Sequence, residues 1–366
     1  MDSNNNNYYS PSSTSSTPHP TTTTTNTTDP VQSWWETVSK ARSRILSLSS
    51  IIPSHPSSSS FSLSSLADSD RPAISFLSSP DAYSLISSSL SSPVSGSGSD
   101  PLCQWLYDTY LSSDPNLRLI VLSFLPLLCG IYLSRIHSSD SSSAPSLAGF
   151  EAVLLAIYSS EVKSRAGKPV VVQIPHLSNP SLYHTPRNKP HKSQVQAPST
   201  GVLSSPLEPQ IAIKSTKRPV IVGVALDCYF KHISQMPSWS KVELCRNVMI
   251  SNNEIEENSG ISESEPKGVR IPLPWEILQP LLRILGHCLL GPLNTQDAKD
   301  AASVAVRRLY ARGSHDLVPQ AILATRSLIQ LDKRTRETAK ATAANTSSNA
   351  NTPAKAKKPE ILLVSK

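Results

Sequence analysis

Through the middle of this chain, apolar residues recur at steps of three and four, a spacing that predicts helices. The first spans residues 30–52. Val31, Trp34, Trp35, Val38, Ala41, Ile45, Leu48 and Ile52 form one stripe, and Glu36, Lys40, Arg42 and Arg44 the opposite face. A capping residue followed at once by proline recurs at Asp29-Pro30, Ser79-Pro80, Asp100-Pro101 and Asp114-Pro115. Asp or Ser accepts a hydrogen bond from a free helix N–H, and proline suits the first helical position, where no donor is needed. Short helical pieces are expected at 61–67, 73–77 and 80–90, and a flexible linker at 95–99, SGSGS. Helices at 101–111 and 115–137 are separated only by Ser112 and Ser113 before the next cap, which makes them antiparallel neighbours. The second is apolar on nearly every side, so it should be the most buried helix, bent at Pro126.

The pattern continues with a helix over 147–162 (Phe150, Val153, Leu154, Ile157 and Tyr158 inward), a charged turn at 163–168 and a β-type run at 170–174. Residues 187–218 are Pro-, Lys- and Ser-rich and read as an exposed disordered insert, as does the acidic stretch 251–268. Between and after them come a helix over 219–236, with Ile221, Val222, Val224, Ala225, Cys228, Tyr229 and Ile233 inward, and one over 239–250 capped by Ser238. Residues 274–290 form an amphipathic helix kinked at Pro280. Asn294 caps a helix that stops at Gly313, and a last helix starts near Asp316 with Leu317, Ala321, Ile322, Ala324 and Leu328 on its apolar side. The flanks, 1–29 (Ser/Thr/Asn-rich) and 333–366 (Lys, Ala, Thr and Asn), hold too few apolar groups to offset chain entropy and should be disordered. The expected fold is therefore mainly α: a helical bundle or hairpin stack over 30–332 with a small β element near 169–175.

The formal charge of +7 changes this picture little, because residues 333–366 hold eight Lys or Arg against Glu337 and Glu360, a surplus of six. The body is close to neutral, and no aromatic-interleaved basic platform argues for specific nucleic-acid binding. The run 119–134 is uncharged, but its 16 residues would extend only about 24 Å as a helix against the roughly 30 Å of a hydrocarbon core. It reads as a buried helix. The N-terminus is polar from its first residue, so no signal peptide is expected. Cys103, Cys129, Cys228, Cys245 and Cys288 are far apart within apolar patterns and read as buried thiols of a reducing compartment.

Catalytic chemistry has little to stand on. There is no G-x-S-x-G elbow, no G-x-G-x-x-G turn, no C-x-x-C and no H-x-x-x-H pair. Gly167-Lys168 fails as a phosphate loop, since Val162 stands where the first glycine belongs and Pro169 where a hydroxyl residue belongs. His184 beside Tyr183 reads as a loop-locking pair. No catalytic, metal or cofactor residues are assigned, and the chain is read as a non-enzyme. Trp34 and Trp35 can mark a partner surface, with Trp105 and Tyr110 as further interface candidates, although an ordinary core stripe is the favoured reading of the Trp pair.

The blocks FEAVLLAIYSSEV and PVVVQIPHLSNPSLYHTP, preceded by LCQWLYDTYLSSDPNLRLIVLSFLPLLCGIYL, resemble the hyccin family. The matching positions include Phe150, Glu151, Tyr158, Ile174, Pro175, Pro180, Tyr183 and His184. Looser likeness in later blocks extends the resemblance over residues 100–332. It implies a non-catalytic accessory subunit of the phosphatidylinositol 4-kinase type III alpha complex. The implied partners are a tetratricopeptide-repeat-type scaffold, the kinase and a membrane-anchoring subunit, in the cytoplasm and at the cytoplasmic face of the plasma membrane. A peripheral membrane adaptor working through the basic tail is the alternative.

Overall fold

The computed structural model describes residues 30–52, 62–138, 146–174, 176, 197–250 and 271–348. Within them the chain is mainly helical, with one two-stranded antiparallel sheet. The stretches 1–29, 251–268 and 349–366, for which composition predicts disorder, lie outside the described residues.

The N-terminal half comprises α1 (Pro30–Ile51), α2 (Leu63–Ala67), α3 (Pro72–Ser78), α4 (Pro80–Ser91), α5 (Pro101–Leu111), α6 (Pro115–His137) and α7 (Ala148–Arg165). Three of the predicted caps form: Ser79, Asp100 and Asp114 accept from the N–H groups of Ala82, Leu102 and Asn116, each with proline at the first helical position. The helix α6 is central. It packs against α3, α4 and α5 and also against α8 (Arg218–Lys231) and α9 (Ser238–Ile250) of the C-terminal half. It is long and apolar enough to cross a membrane, but the protein buries 72% of its most apolar window. Side chains of α9 serve it around Pro126: Ser240 donates to the Ser123 carbonyl at 2.6 Å and Asn247 to the Pro126 carbonyl at 3.0 Å. Proline removes one donor from the helical ladder here, and these side-chain donors hold α9 at that break.

The rest of the C-terminal half is α10 (Trp275–Leu290), continuous through Pro280, α11 (Gln296–His315) and α12 (Pro319–Ser348). The helix α10 packs on α8, α11 and α12, and α11 lies between α9 and α12. All five cysteines are buried thiols, and the seven residues expected to face inward around α8 are buried. That helix stops at Lys231, and Ile233 sits in a separate 3-10 turn.

Several expectations give way. The stretch SGSGS is an ordered corner: Ser95 is buried, the Gly96 N–H donates to Asp100 Oδ2 at 2.7 Å and its carbonyl accepts from Gly149 at 2.8 Å. The Arg135 guanidinium binds the Ser92 and Ser95 carbonyls. With its backbone partnered by Asp100, Gly149 and Arg135, the corner is not a linker. The helix α7 continues through the charged segment to Arg165 before Ala166 turns into the left-handed region. Part of the supposed insert is structured: β1 (Val170–Ile174) pairs with β2 (Ser199–Ser204), and Leu207 and Ile213 are buried. Backbone pairing and the Leu207 N–H donation to the Gly167 carbonyl order residues whose side chains alone carry little pattern. Asn294 does not cap α11. Thr295 does so, while Asn294 donates to the His287 and Cys288 carbonyls at the end of α10. The helix α11 passes through Gly313, where the Ala321 methyl lies 3.0 Å from the position of an added Cβ. This glycine permits close helix packing and does not terminate the helix. The turn comes at Leu317, which is left-handed (φ 54°) and 80% exposed, not inward. Finally, α12 extends to Ser348, through residues assigned to a disordered tail. Arg336 ties this extension to Asp332 on the same helix and Asp300 on α11, at 2.8 Å each.

Candidate interaction surface

The apolar stripe of α1 is continuous in sequence, but its cover is not. Val38, Ala41, Ile45 and Leu48 are buried as α1 packs on α2, α3 and α5. Val31, Trp34 and Trp35 are exposed, the two indoles 46% and 57% so, with ring centroids 4.9 Å apart in an edge-on arrangement. This corrects the favoured reading of the Trp pair as core. Trp105 and Tyr110 move the other way. Both are buried, because Trp105 donates its indole N–H to the Arg44 carbonyl at 2.8 Å and Arg118 lies over the Tyr110 ring. They pack inside the bundle and offer little surface to a partner.

Two further apolar surfaces are exposed among the described residues. The β hairpin exposes Val171, Val172, Ile174 and Val202, and α12 exposes Leu323 and Leu331. Strand side chains alternate between faces, and valines at consecutive positions 171 and 172 leave both faces of the hairpin apolar. Its base is fixed to α7: Arg165 donates to Ser204 Oγ at 2.8 Å, and the Tyr158 hydroxyl donates to the Glu208 carbonyl at 2.8 Å.

The signature residues that can be placed hold elements together. Phe150 is fully buried between Gly96 and the guanidinium of Arg135. Glu151 accepts from the Tyr132 hydroxyl at 2.9 Å, and that hydroxyl in turn accepts from Arg218 at 3.2 Å, linking α7, α6 and α8. Tyr158 anchors the hairpin as described, and Ile174 is exposed at the end of β1. Pro175, Pro180, Tyr183 and His184 lie outside the described residues.

Beside this signature lies an ionic joint that the sequence pattern did not reveal. Glu161 on α7 accepts from Arg165 and from Lys231 on α8. Asp227 on α8 accepts from Arg283 on α10 at 2.8 Å, and the Arg283 guanidinium lies 4.2 Å from the Phe230 ring centroid. Burial pushes the Glu161 carboxyl up, but the hydrogen bonds from Lys231 and Arg165 outweigh it and hold the group below the ordinary carboxylate range. Burial also pushes Asp227 up, and Arg283 opposes this without reversing it. The joint's signal in the sequence is the charged end of an otherwise apolar helix. Among the described residues no group of three or more His, Cys, Asp or Glu is placed to hold a metal ion. The geometry positions helices and leaves apolar surface for contact.

Residues 67–365 match the sequence profile of the Hyccin family. The chain belongs to the Hyccin family. The matched range starts at the last residue of α2 and takes in every later element. It reaches further on both sides than the blocks first legible as hyccin-like. The joint among α6, α7 and α8 lies inside it, while the exposed Trp pair of α1 stands before it.

Proposed function

We propose that this hyccin-family chain is a non-catalytic scaffold subunit of a plasma-membrane phosphatidylinositol 4-kinase complex, stabilising the kinase and supporting its recruitment and the synthesis of phosphatidylinositol 4-phosphate. The family match carries the reading. Its partners would be a tetratricopeptide-repeat-type scaffold, phosphatidylinositol 4-kinase type III alpha and a membrane-anchoring subunit. The exposed Trp pair supports an assembly role, since Trp is among the residues that dominate interface energetics. A bundle that binds only the folded form of a repeat protein stabilises it by mass action. The test is affinity purification of the tagged full chain from native membranes. Recovery of a lipid kinase with a repeat-protein scaffold is expected, and a preparation containing neither defeats the reading.

One observation favours a second reading, a peripheral membrane adaptor. Lys333, Arg334 and Lys340 are exposed on the distal part of α12, and each basic group near an anionic bilayer contributes about 1 kcal/mol. Replacing these three by Gln in a chain ending at Ser348 keeps the Arg336 contacts and removes the attraction. Unchanged plasma-membrane localisation argues against the adaptor.

A further inference from the structure

Between α1 and the start of α3 runs a groove of ≈ 240 Å³, with Trp34, Val38, Ile74, Arg71 and Asp114 among its lining residues. Asp114 is 5% exposed. Its Oδ1 caps α6 by accepting from the Asn116 N–H at 2.8 Å, but its Oδ2, equally buried, accepts no hydrogen bond among the described residues. A cap needs only one oxygen, and Ser, Thr or Asn would serve. A buried carboxylate oxygen without a donor is costly. In the same groove the half-exposed indole of Trp34 and the exposed Ile74 offer apolar surface. An anion beside an aromatic face complements a cation on an aliphatic stem. Arg71, on the same groove, is exposed and makes no ion pair with Asp114.

We propose that this groove receives an arginine or lysine side chain from a partner protein, its charged head at the Asp114 carboxylate where that residue lines the groove and its stem against Trp34 and Ile74. The proposal requires a protein partner but not the lipid-kinase assembly in particular, so the two can fail separately.

A photo-crosslinking amino acid at position 37, which also lines the groove, placed in the full chain in its native cells, tests this. The expected adduct is a protein segment containing Arg or Lys. Replacing that residue on the partner should abolish capture. Asp114→Asn should reduce capture roughly 30-fold or more, as expected for removing one member of a buried charge pair, while preserving the melting temperature because Asn still caps. An adduct indifferent to Asp114→Asn, no adduct, or adducts to lipid, to a second copy or to residues 1–29 each overturn the proposal. So does an Arg71→Gln variant that melts lower and captures more, because the carboxylate would then be served from within the chain.

Discussion

Adding one methyl group at position 96 measures how firmly the Ser-Gly corner is held. Gly96 has φ 87°, and an added Cβ would meet the Phe150 ring at 2.5 Å. Gly96→Ala should therefore cost about 1–3 kcal/mol, read as a lower denaturation midpoint; an unchanged midpoint would mean that the corner is not packed in solution. Leu317 gives the opposite case. An exposed leucine occupies a left-handed position that glycine adopts without strain. Leu317→Gly should stabilise the chain by about 0.5–1 kcal/mol after allowing for the looser unfolded state. Glu161→Gln should cost about 3 kcal/mol, because it leaves Arg165 in a buried site without its counter-charge. The sign with pH follows from the lowered carboxyl. Its contribution is complete above the ordinary value of 4.5 and is lost as pH falls through the lower folded value. Stability curves of the wild type and the variant should therefore be fully separated at pH 7 and draw together as pH falls below 4.5; a constant offset would assign the loss to packing.

At the scale of elements, α12 shows how composition misleads. Its apolar pattern was legible as far as Leu328, and the Lys- and Thr-rich continuation lacked core-forming residues. Propensity and tertiary contact carry the helix onward, with good helix formers and Arg336 bound to Asp300 and Asp332. Arg336→Ala should weaken this end by about 1 kcal/mol at most, since these ion pairs are partly exposed. Hydrogen exchange over residues 333–348 should quicken roughly fivefold with the rest of the protein unchanged; unchanged exchange there would mean that the contacts do not hold the helix end. The proline-capped helices and α6 were readable because local chemistry dictates them. The strand β2 was not, because STGVLS has only two large apolar residues and acquires its order from β1. The glycines failed as punctuation for a related reason: Gly313 allows α12 to approach α11, a use invisible until both helices are in place. The candidate interface divided along the same line, since periodicity puts Trp34 and Trp105 in apolar helices alike and only the neighbours decide which is covered.

For the whole molecule, the ordering of the chain matters as much as its contacts. Trp239 of α9 stacks on Tyr83 of α4 at 4.3 Å and reaches Phe124 of α6 at 5.3 Å, while the Tyr83 hydroxyl donates to Glu243, 160 residues further along the chain. With Ser240 and Asn247 serving the α6 backbone, α9 completes a core begun in the first third of the protein. At about 5–20 residues per second, a ribosome needs on the order of ten seconds to cross that interval. From the completion of α6 until α9 is made, α6 is an apolar helix without the cover that α9 later gives. Nascent chains arrested before α9 emerges should engage chaperones, and those arrested after α12 should release them; equal chaperone occupancy at both points would deny α9 this role. The subunit proposed to steady a larger enzyme would thus itself need an escort while it is being made.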